Sequence, residues 1–329
     1  MANRELSDRI LLETRGLKKY FKINKKTMLH AVDGVDLKVH EGSTIGIVGE
    51  SGCGKSTLGQ TVIRLYDPTE GQILFEGIDI AKLSRRQMKE FRPNMQMIFQ
   101  DPYSSLNPRM TVRDLIAEPM LINGVASKGD AYGKVYELMD TVGLARRFEY
   151  SYPHELDGGR RQRIGVARCL SLNPKFIVCD EPVSALDVSI QAQIINLLMD
   201  LQEERHLTYM FITHDLSVVK HISDEIVVMY LGVCVERART NELFAHPTHP
   251  YTKALLDSIP IPDSSMRGKK LQVIKGEITS PINPKPGCRF AARCPFAKQE
   301  CFEVTPELAE ISRDHFVACP MAAEEAVAK

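Results

Sequence analysis

Apolar residues fall along this chain in short runs, separated by stretches with helical spacing, and the two alternate for most of its length. Residues 10–16 and 31–39 read as strands of an N-terminal sheet, with Leu17-Lys18-Lys19-Tyr20-Phe21 between them. Residues 43–48 are short and apolar, the pattern of a buried strand, and residues 57–66 carry apolar positions at helical spacing without a proline. Residues 71–76 and 95–99 predict two more strands, and residues 100–107 a polar, turn-rich loop. Residues 111–144 are helical in character, broken by Pro119 and Gly124. A basic amphipathic helix over 160–172 is stopped by Asn173-Pro174. Then follow an apolar strand over 175–180, a long helix over 188–205, a strand over 209–213, and what read as the last strands, 226–230 and 232–236. Beyond Pro260 the composition shifts to Pro, Lys and Gly, and a separate C-terminal module is expected.

The chemistry lies at the joints of this alternation. Gly49-Glu50-Ser51-Gly52-Cys53-Gly54-Lys55-Ser56-Thr57 is a full G-x-x-x-x-G-K-S phosphate-binding loop, and it stands where a strand passes into a helix. Gly52 and Gly54 let successive backbone N–H groups turn toward phosphate oxygens, and the start of the helix adds partial positive charge. Lys55 is placed to reach the β- and γ-phosphates and the Ser56 hydroxyl to sit on Mg²⁺. The 175–180 strand ends in two adjacent carboxylates. Asp180 belongs on the Mg²⁺ shell, and Glu181 is placed to polarise an attacking water. His214 follows the 209–213 strand at the edge of the sheet where doubly wound folds bind ligands.

Composition narrows the field. The 329 residues suggest about two domains, and the apolar fraction of 43% is enough for a proper core. Lys+Arg and Asp+Glu balance at 42 each, which argues against nucleic-acid binding through bulk charge. The most apolar stretch, 226–235, is far short of the roughly 20 residues that span a bilayer. The N-terminus is polar, so a cytosolic protein without structural disulfides is expected. Cys53 fills a variable position of the phosphate loop, and Cys169, Cys179 and Cys234 sit in apolar elements as small core residues. Cys288, Cys294, Cys301 and Cys319 are spaced C-x5-C-x6-C-x17-C near the C-terminus, which suggests a metal staple, with His315 as a substitute ligand. Zinc ribbons prefer C-x2-C pairs, and there is none here.

Together these motifs resemble the nucleotide-binding subunit of an ATP-binding cassette (ABC) transporter over about residues 11–244. The resemblance implies an α/β P-loop cassette with a RecA-like parallel core, an N-terminal antiparallel β subdomain, a helical subdomain at about 101–172, and a small Cys-containing C-terminal extension. The domain boundary it implies lies between 1–259 and 260–329. By resemblance, Tyr20 is the aromatic that stacks on adenine, and Gln100 links Mg²⁺ and the γ-phosphate to the helical subdomain. Ser184-Ala185-Leu186-Asp187 is the loop that crosses between two cassettes, and His214 contacts the γ-phosphate. Leu156-Asp157-Gly158-Gly159-Arg160 stands where the family's Leu-Ser-Gly-Gly-Gln signature faces the partner's ATP. Asp101-Pro102-Tyr103-Ser104-Ser105-Leu106-Asn107-Pro108 and residues 246–252 are similar to the oligopeptide/dipeptide importers, of the second, "F"-type cassette. Nickel and glutathione importers share much of that pattern. Some oligopeptide-type ATPases hold a [4Fe–4S] cluster on a similar C-terminal cysteine set, so an iron–sulfur cluster is expected here, with Zn²⁺ as the alternative.

The implied reaction is ATP + H₂O → ADP + phosphate, driving import at the cytoplasmic face of the cell membrane. The implied partners are a second, different cassette, two membrane permease subunits and an extracytoplasmic solute-binding protein, with no nucleic acid. One cassette without an internal repeat makes only half of a two-site enzyme. Soluble cassette ATPases of ribosomes or DNA repair carry two cassettes or a coiled-coil insertion, and this sequence has neither. A regulatory module in which the cysteines sense iron or redox state would be superimposed on the transport role. Asp157 cannot donate as the family's Ser does, and at ~4 Å and an effective dielectric of ~20 it would repel a phosphate charge by about 4 kcal/mol. The partner's ATP is therefore expected to turn over slowly unless Arg160 offsets that charge.

Overall fold

The computed structural model describes residues 6–258 and 280–321. Two long strands, β1 (Ile10–Lys22) and β2 (Met28–His40), pair antiparallel, and β4 (Glu70–Phe75) and β5 (Ile78–Asp79) extend them into a sheet of order β2-β1-β4-β5. Residues 17–21 are part of β1 rather than a break in it. Register shifts at Thr14/Leu17, Leu17/Lys19 and Lys19/Tyr20 blur the alternation that would have revealed the strand.

The main sheet is built on β3 (Thr44–Val48), β6 (Met95–Ile98), β7 (Phe176–Asp180), β8 (Thr208–Ile212) and β9 (Glu225–Tyr230). These five run parallel in the order β9-β3-β8-β7-β6. Every residue of β3, β7 and β8 is buried, so they read as continuous apolar runs, the mark of strands covered on both faces. α1 (Lys55–Val62) leaves the end of β3, and its Leu58 and Val62 join a core shared between the two sheets. β10 (Val233–Arg239) then pairs antiparallel with β9.

Between β6 and β7 the chain forms a helical lobe. α2 (Arg85–Phe91) precedes β6; after β6 come the short α3 (Pro102–Ser105), then α4 (Val112–Ile122), α5 (Lys128–Thr141) and α6 (Gly158–Leu170). α4 passes through Pro119 without ending. A proline costs a helix interior about 3 kcal/mol. Val112, Leu115, Ile116 and Met120 are each buried in the helical core, and at about 1.5–3 kcal/mol per side chain they outweigh that loss. α7 (Val188–Arg205), α8 (Leu216–Ile222), α9 (Thr240–Ala245) and α10 (Pro250–Asp257) complete the helices.

The boundary expected at Pro260 lies outside the described residues. Beyond it, β11 (Ala309–Ser312) and β12 (His315–Val317) form a hairpin that continues the main sheet through β10, so β10 is not the last strand. Fully buried Glu236 of β10 ties this hairpin down: it accepts the Thr248 and His249 N–H groups at 2.8 and 2.9 Å and faces His315 Nε2 at 2.8 Å. Residues 281–283 also lie along the start of β2. His30 N–H donates to Pro281 O at 3.0 Å, and Met28 and Asn283 exchange bonds at 2.9 Å.

Candidate nucleotide site

Parallel strands end on one edge of a sheet, and here that edge gathers the polar motifs. β3 delivers the phosphate loop, β6 delivers Gln100, β7 delivers Asp180 and Glu181, and β8 delivers His214. A cleft of about 530 Å³ opens there, within the usual range for small-molecule sites. Ser51, Gly52, Gly54, Lys55, Ser56 and Thr57 form its floor, with Gln100, Glu181 and His214 on one wall.

The loop needs its glycines for space as well as for backbone freedom. Gly54 has φ 104°, and a Cβ there would meet Ala31 O at 2.0 Å; at Gly49 it would meet Met229 O at 2.2 Å. Lys55 is buried, and its Nζ donates to Gly49 O at 2.8 Å and Glu50 O at 3.0 Å, so the ammonium lies inside the curve of the loop. Cys53 is buried behind the loop, and burial pushes its thiol up.

Two contacts assemble the catalytic side. Ser56 Oγ donates to Asp180 Oδ1 at 2.7 Å, which places a hydroxyl and a carboxylate side by side. Mg²⁺ takes oxygen ligands and is held by one or two carboxylates together with substrate phosphates, so this pair fits it. Burial, chiefly, raises the Asp180 carboxyl, with Glu181 adding to it, while Ser56 and Lys55 oppose. Next to it, Glu181 Oε2 accepts from Gln100 Nε2 at 2.7 Å, and Glu181 Oε1 lies 3.3 Å from His214 Nδ1. Glu181 has φ 44°, a left-handed backbone that costs a non-glycine residue about 1–3 kcal/mol and is held by its N–H bond to Ile212 O. The Ser184 hydroxyl and N–H both donate to Glu181 O, and Gln191 Nε2 donates to Val183 O and Leu186 O, so the crossing loop is braced against the same residue.

The aromatic wall differs from the expectation. Tyr20 does not line the cleft. Its phenol donates to Asp33, and its ring stacks on His30 with centroids 3.8 Å apart. Burial first, then Asp33, holds that phenol above its usual range. Phe21 and His30 line the cleft, and Tyr20, the cross-strand partner of His30, stacks against that imidazole. Leu29, Ala31, Gly232 and Pro281 line it too. Phe21 adjoined the predicted residue; nothing in the sequence pointed to Pro281.

Residues 157–160 lie apart from this chain's own cleft. Asp157 caps α6, its Oδ1 accepting the Arg160 N–H at 2.8 Å, and its Oδ2 pairs with Arg160 Nη1 at 2.6 Å. The two unusual signature residues therefore neutralise each other. Both remain solvent-facing, with side chains 58% and 43% exposed. Gly158 and Gly159 pack on the crossing loop and α7: a Cβ would meet Leu186 at 3.0 Å or Ile190 at 2.7 Å.

The metal centre expected on the C-terminal cysteines is not supported by the structure. Among the described residues no three or more His, Cys, Asp or Glu side chains stand together where they could hold a metal ion. Cys288, Cys294, Cys301 and Cys319 are free thiols, and Cys288 meets Cys301 through a backbone bond, N–H to O at 2.7 Å. Burial pushes the Cys288 thiol up to about 11 and also raises Cys294, with the neighbouring late cysteines adding to both. His315, the substitute ligand, faces Glu236 instead.

Sequence comparison matches residues 32–184 to the ABC transporter family and residues 235–301 to the oligopeptide/dipeptide transporter C-terminal region. The chain is 55% identical over 311 residues to the putative oligopeptide transport ATP-binding protein YkfD of Bacillus subtilis, covering 94% of each. It is 54% identical over 317 residues to the oligopeptide transport ATP-binding protein AppF of the same organism, covering 94% of this chain and 96% of that one. It is 50% identical over 322 residues to the oligopeptide transport ATP-binding protein OppF of Salmonella typhimurium, at the same coverage. Among solved structures, a dimeric ATP-binding cassette bound to ADP and Pi superposes with a TM-score of 0.64 at 28% identity, covering 70% of this chain and 98% of that one. CbiO1 of Clostridium perfringens, part of an ABC transporter complex, superposes with a TM-score of 0.64 at 26% identity, covering 72% and 91%.

Proposed function

Because this chain belongs to the ATP-binding subunits of ABC transporters, in the oligopeptide branch of that family, we propose that it hydrolyses ATP in the cleft at the β3–β8–β7–β6 edge to power import of di- and oligopeptides. The observation that carries the catalytic assignment is the joining of Ser56 to Asp180 and of Glu181 to both Gln100 and His214, all at one sheet edge. Backbone N–H groups of residues 51–57 and the Lys55 ammonium bind the phosphates. Ser56 and Asp180 would hold Mg²⁺, which would supply charge neutralisation for the phosphates. Glu181 orients a water on the γ-phosphorus and accepts its proton as the bond to ADP breaks. Gln100 and His214 hold the Glu181 carboxylate from two sides. Phe21 and His30 provide an aromatic and imidazole wall for adenine, the role expected of Tyr20.

No helix among the described residues is long and apolar enough to cross a membrane. Permease subunits and an extracytoplasmic binding protein therefore complete the proposed assembly, with this chain at its cytoplasmic face. Co-expressed with those subunits, the chain should co-purify with polytopic membrane proteins and support ATP-dependent uptake of labelled dipeptide into vesicles. Uptake of Ni²⁺ in place of peptide would overturn the substrate assignment.

Asymmetry between two different cassettes forms part of this proposal. Residues 157–160 would face the partner's ATP, and the Asp157–Arg160 pair offsets the repulsion that Asp157 alone would exert. Arg160→Gln should then lower turnover at the partner's site about tenfold by exposing the Asp157 charge. Asp157→Ser in the same chain should restore it. Site-resolved hydrolysis, with this chain's own Glu181 blocked, reads the effect; equal rates in all three forms would make the altered signature silent.

A further inference from the structure

The phosphate loop is held from behind by residues that lie after the cassette motifs. Arg293, in the single turn Ala291–Arg293, reaches Glu50, the second residue of the loop, by two parallel bonds: Nη1 to Oε2 at 2.7 Å and Nη2 to Oε1 at 3.0 Å. The pair is sheltered, with the Arg293 side chain 7% and the Glu50 side chain 23% exposed. Nη1 also donates to the Tyr230 hydroxyl at 3.2 Å. The Glu50 N–H donates to the hydroxyl of fully buried Tyr251 at 2.8 Å, and Tyr230, Tyr251 and Phe290 pack their rings together behind it. On its other side, Glu50 O accepts the Lys55 ammonium. One residue thus connects the C-terminal segment to the lysine of the loop.

Electrostatics gives the connection a purpose. A carboxylate in a loop that receives several phosphate charges opposes binding unless it is paired. A bidentate guanidinium is the strongest pairing that side chains offer, and it also fixes orientation. The same segment meets the adenine side of the cleft. Arg289 Nη2 donates to Asp33 Oδ2 at 2.5 Å, the residue that holds Tyr20 and His30, and Pro281 lines the cleft itself.

We propose that Arg293 is a positioning residue for ATP: it cancels the Glu50 charge and fixes the phosphate loop, so the C-terminal extension sets nucleotide affinity. This rests on the cleft's being the nucleotide site. The test is calorimetric binding of ATP, ADP and adenosine, with Mg²⁺, to the full-length chain. Arg293→Met should weaken ATP about tenfold, ADP less, and adenosine little, because the unpaired charge acts on phosphates. Glu50→Gln should act with the opposite sign and tighten ATP, and added to Arg293→Met it should recover most of the loss. Equal weakening of ATP, ADP and adenosine, or weakening by both single changes without recovery in the double, would reduce the pair to a structural contact and overturn the proposal. Should Arg293→Met fail to fold, the sign of the Glu50→Gln effect decides alone: tighter ATP supports the clamp, weaker ATP overturns it. Lys55→Ala serves as the control for the site. If it weakens ATP while the Arg293 and Glu50 changes leave affinity untouched, the clamp fails and the site stands. If it leaves ATP affinity unchanged, the site assignment fails.

Discussion

Glu181→Gln is expected to lower ATP turnover of the assembled transporter about 10²-fold or more while ATP binding persists. The substitution keeps shape and most contacts. An amide can still meet Gln100, 2.7 Å away, and His214, 3.3 Å away, but it cannot take a proton from water. Binding energy from Lys55, the loop N–H groups and the cleft walls does not pass through this side chain, so affinity should hold. Steady-state phosphate release, set beside binding of ATP to the same preparation, separates the two. Turnover near that of the unsubstituted protein would transfer the base role away from Glu181. His214→Ala offers a graded comparison. The His214 ring is exposed and orients Glu181 from outside, so its removal should cost less than loss of the carboxylate itself.

Lys55→Ala is expected to fail earlier, at binding. The ammonium is buried inside the loop, and its partners there are the Gly49 and Glu50 carbonyls. A charge-assisted bond contributes about 1.5–3 kcal/mol, so losing those to the β- and γ-phosphates should weaken ATP about 10- to 100-fold. The fold should survive, because removing a buried ammonium also removes its desolvation cost. Thermal melting distinguishes these effects. Ligand at 100 times its Kd stabilises a native protein by about 2.7 kcal/mol. Unsubstituted protein should therefore melt higher with Mg-ATP at that level, whereas the variant, at about 1–10 times its own Kd at the same concentration, should keep only about 0.4–1.4 kcal/mol of that stabilisation. A full ATP-dependent shift in Lys55→Ala would place the triphosphate elsewhere.

The loop 49–57, the carboxylates at 180 and 181, and the histidine at 214 were legible in the chain because each is a local pattern attached to the end of an apolar run. A strand buried on both faces and a helix with one apolar stripe leave distinct periods, and the chemistry sits where one period gives way to the other. Local pattern loses its meaning wherever side chains from distant positions meet. Gln100 reaches Glu181 across 81 residues because β6 and β7 are parallel neighbours, and only strand pairing decides that. Tyr20 is drawn to Asp33 and His30 by the pairing of β1 with β2, whose register shifts three times between Thr14 and Tyr20. One residue of slip exchanges the two faces of a strand. The charge of Asp157 was plain in the sequence, but its cancellation by Arg160 required a cap geometry and a rotamer. The four late cysteines suggested a shared ligand from their clustering and the family resemblance. The fold brings them near one another, but no metal-holding group forms among the described residues, because clustering along a chain does not set the direction of the thiols. The longest reach, Arg293 to Glu50 across 243 residues, left no trace in the sequence: two charged residues of opposite sign are common, and only the fold sets this pair face to face.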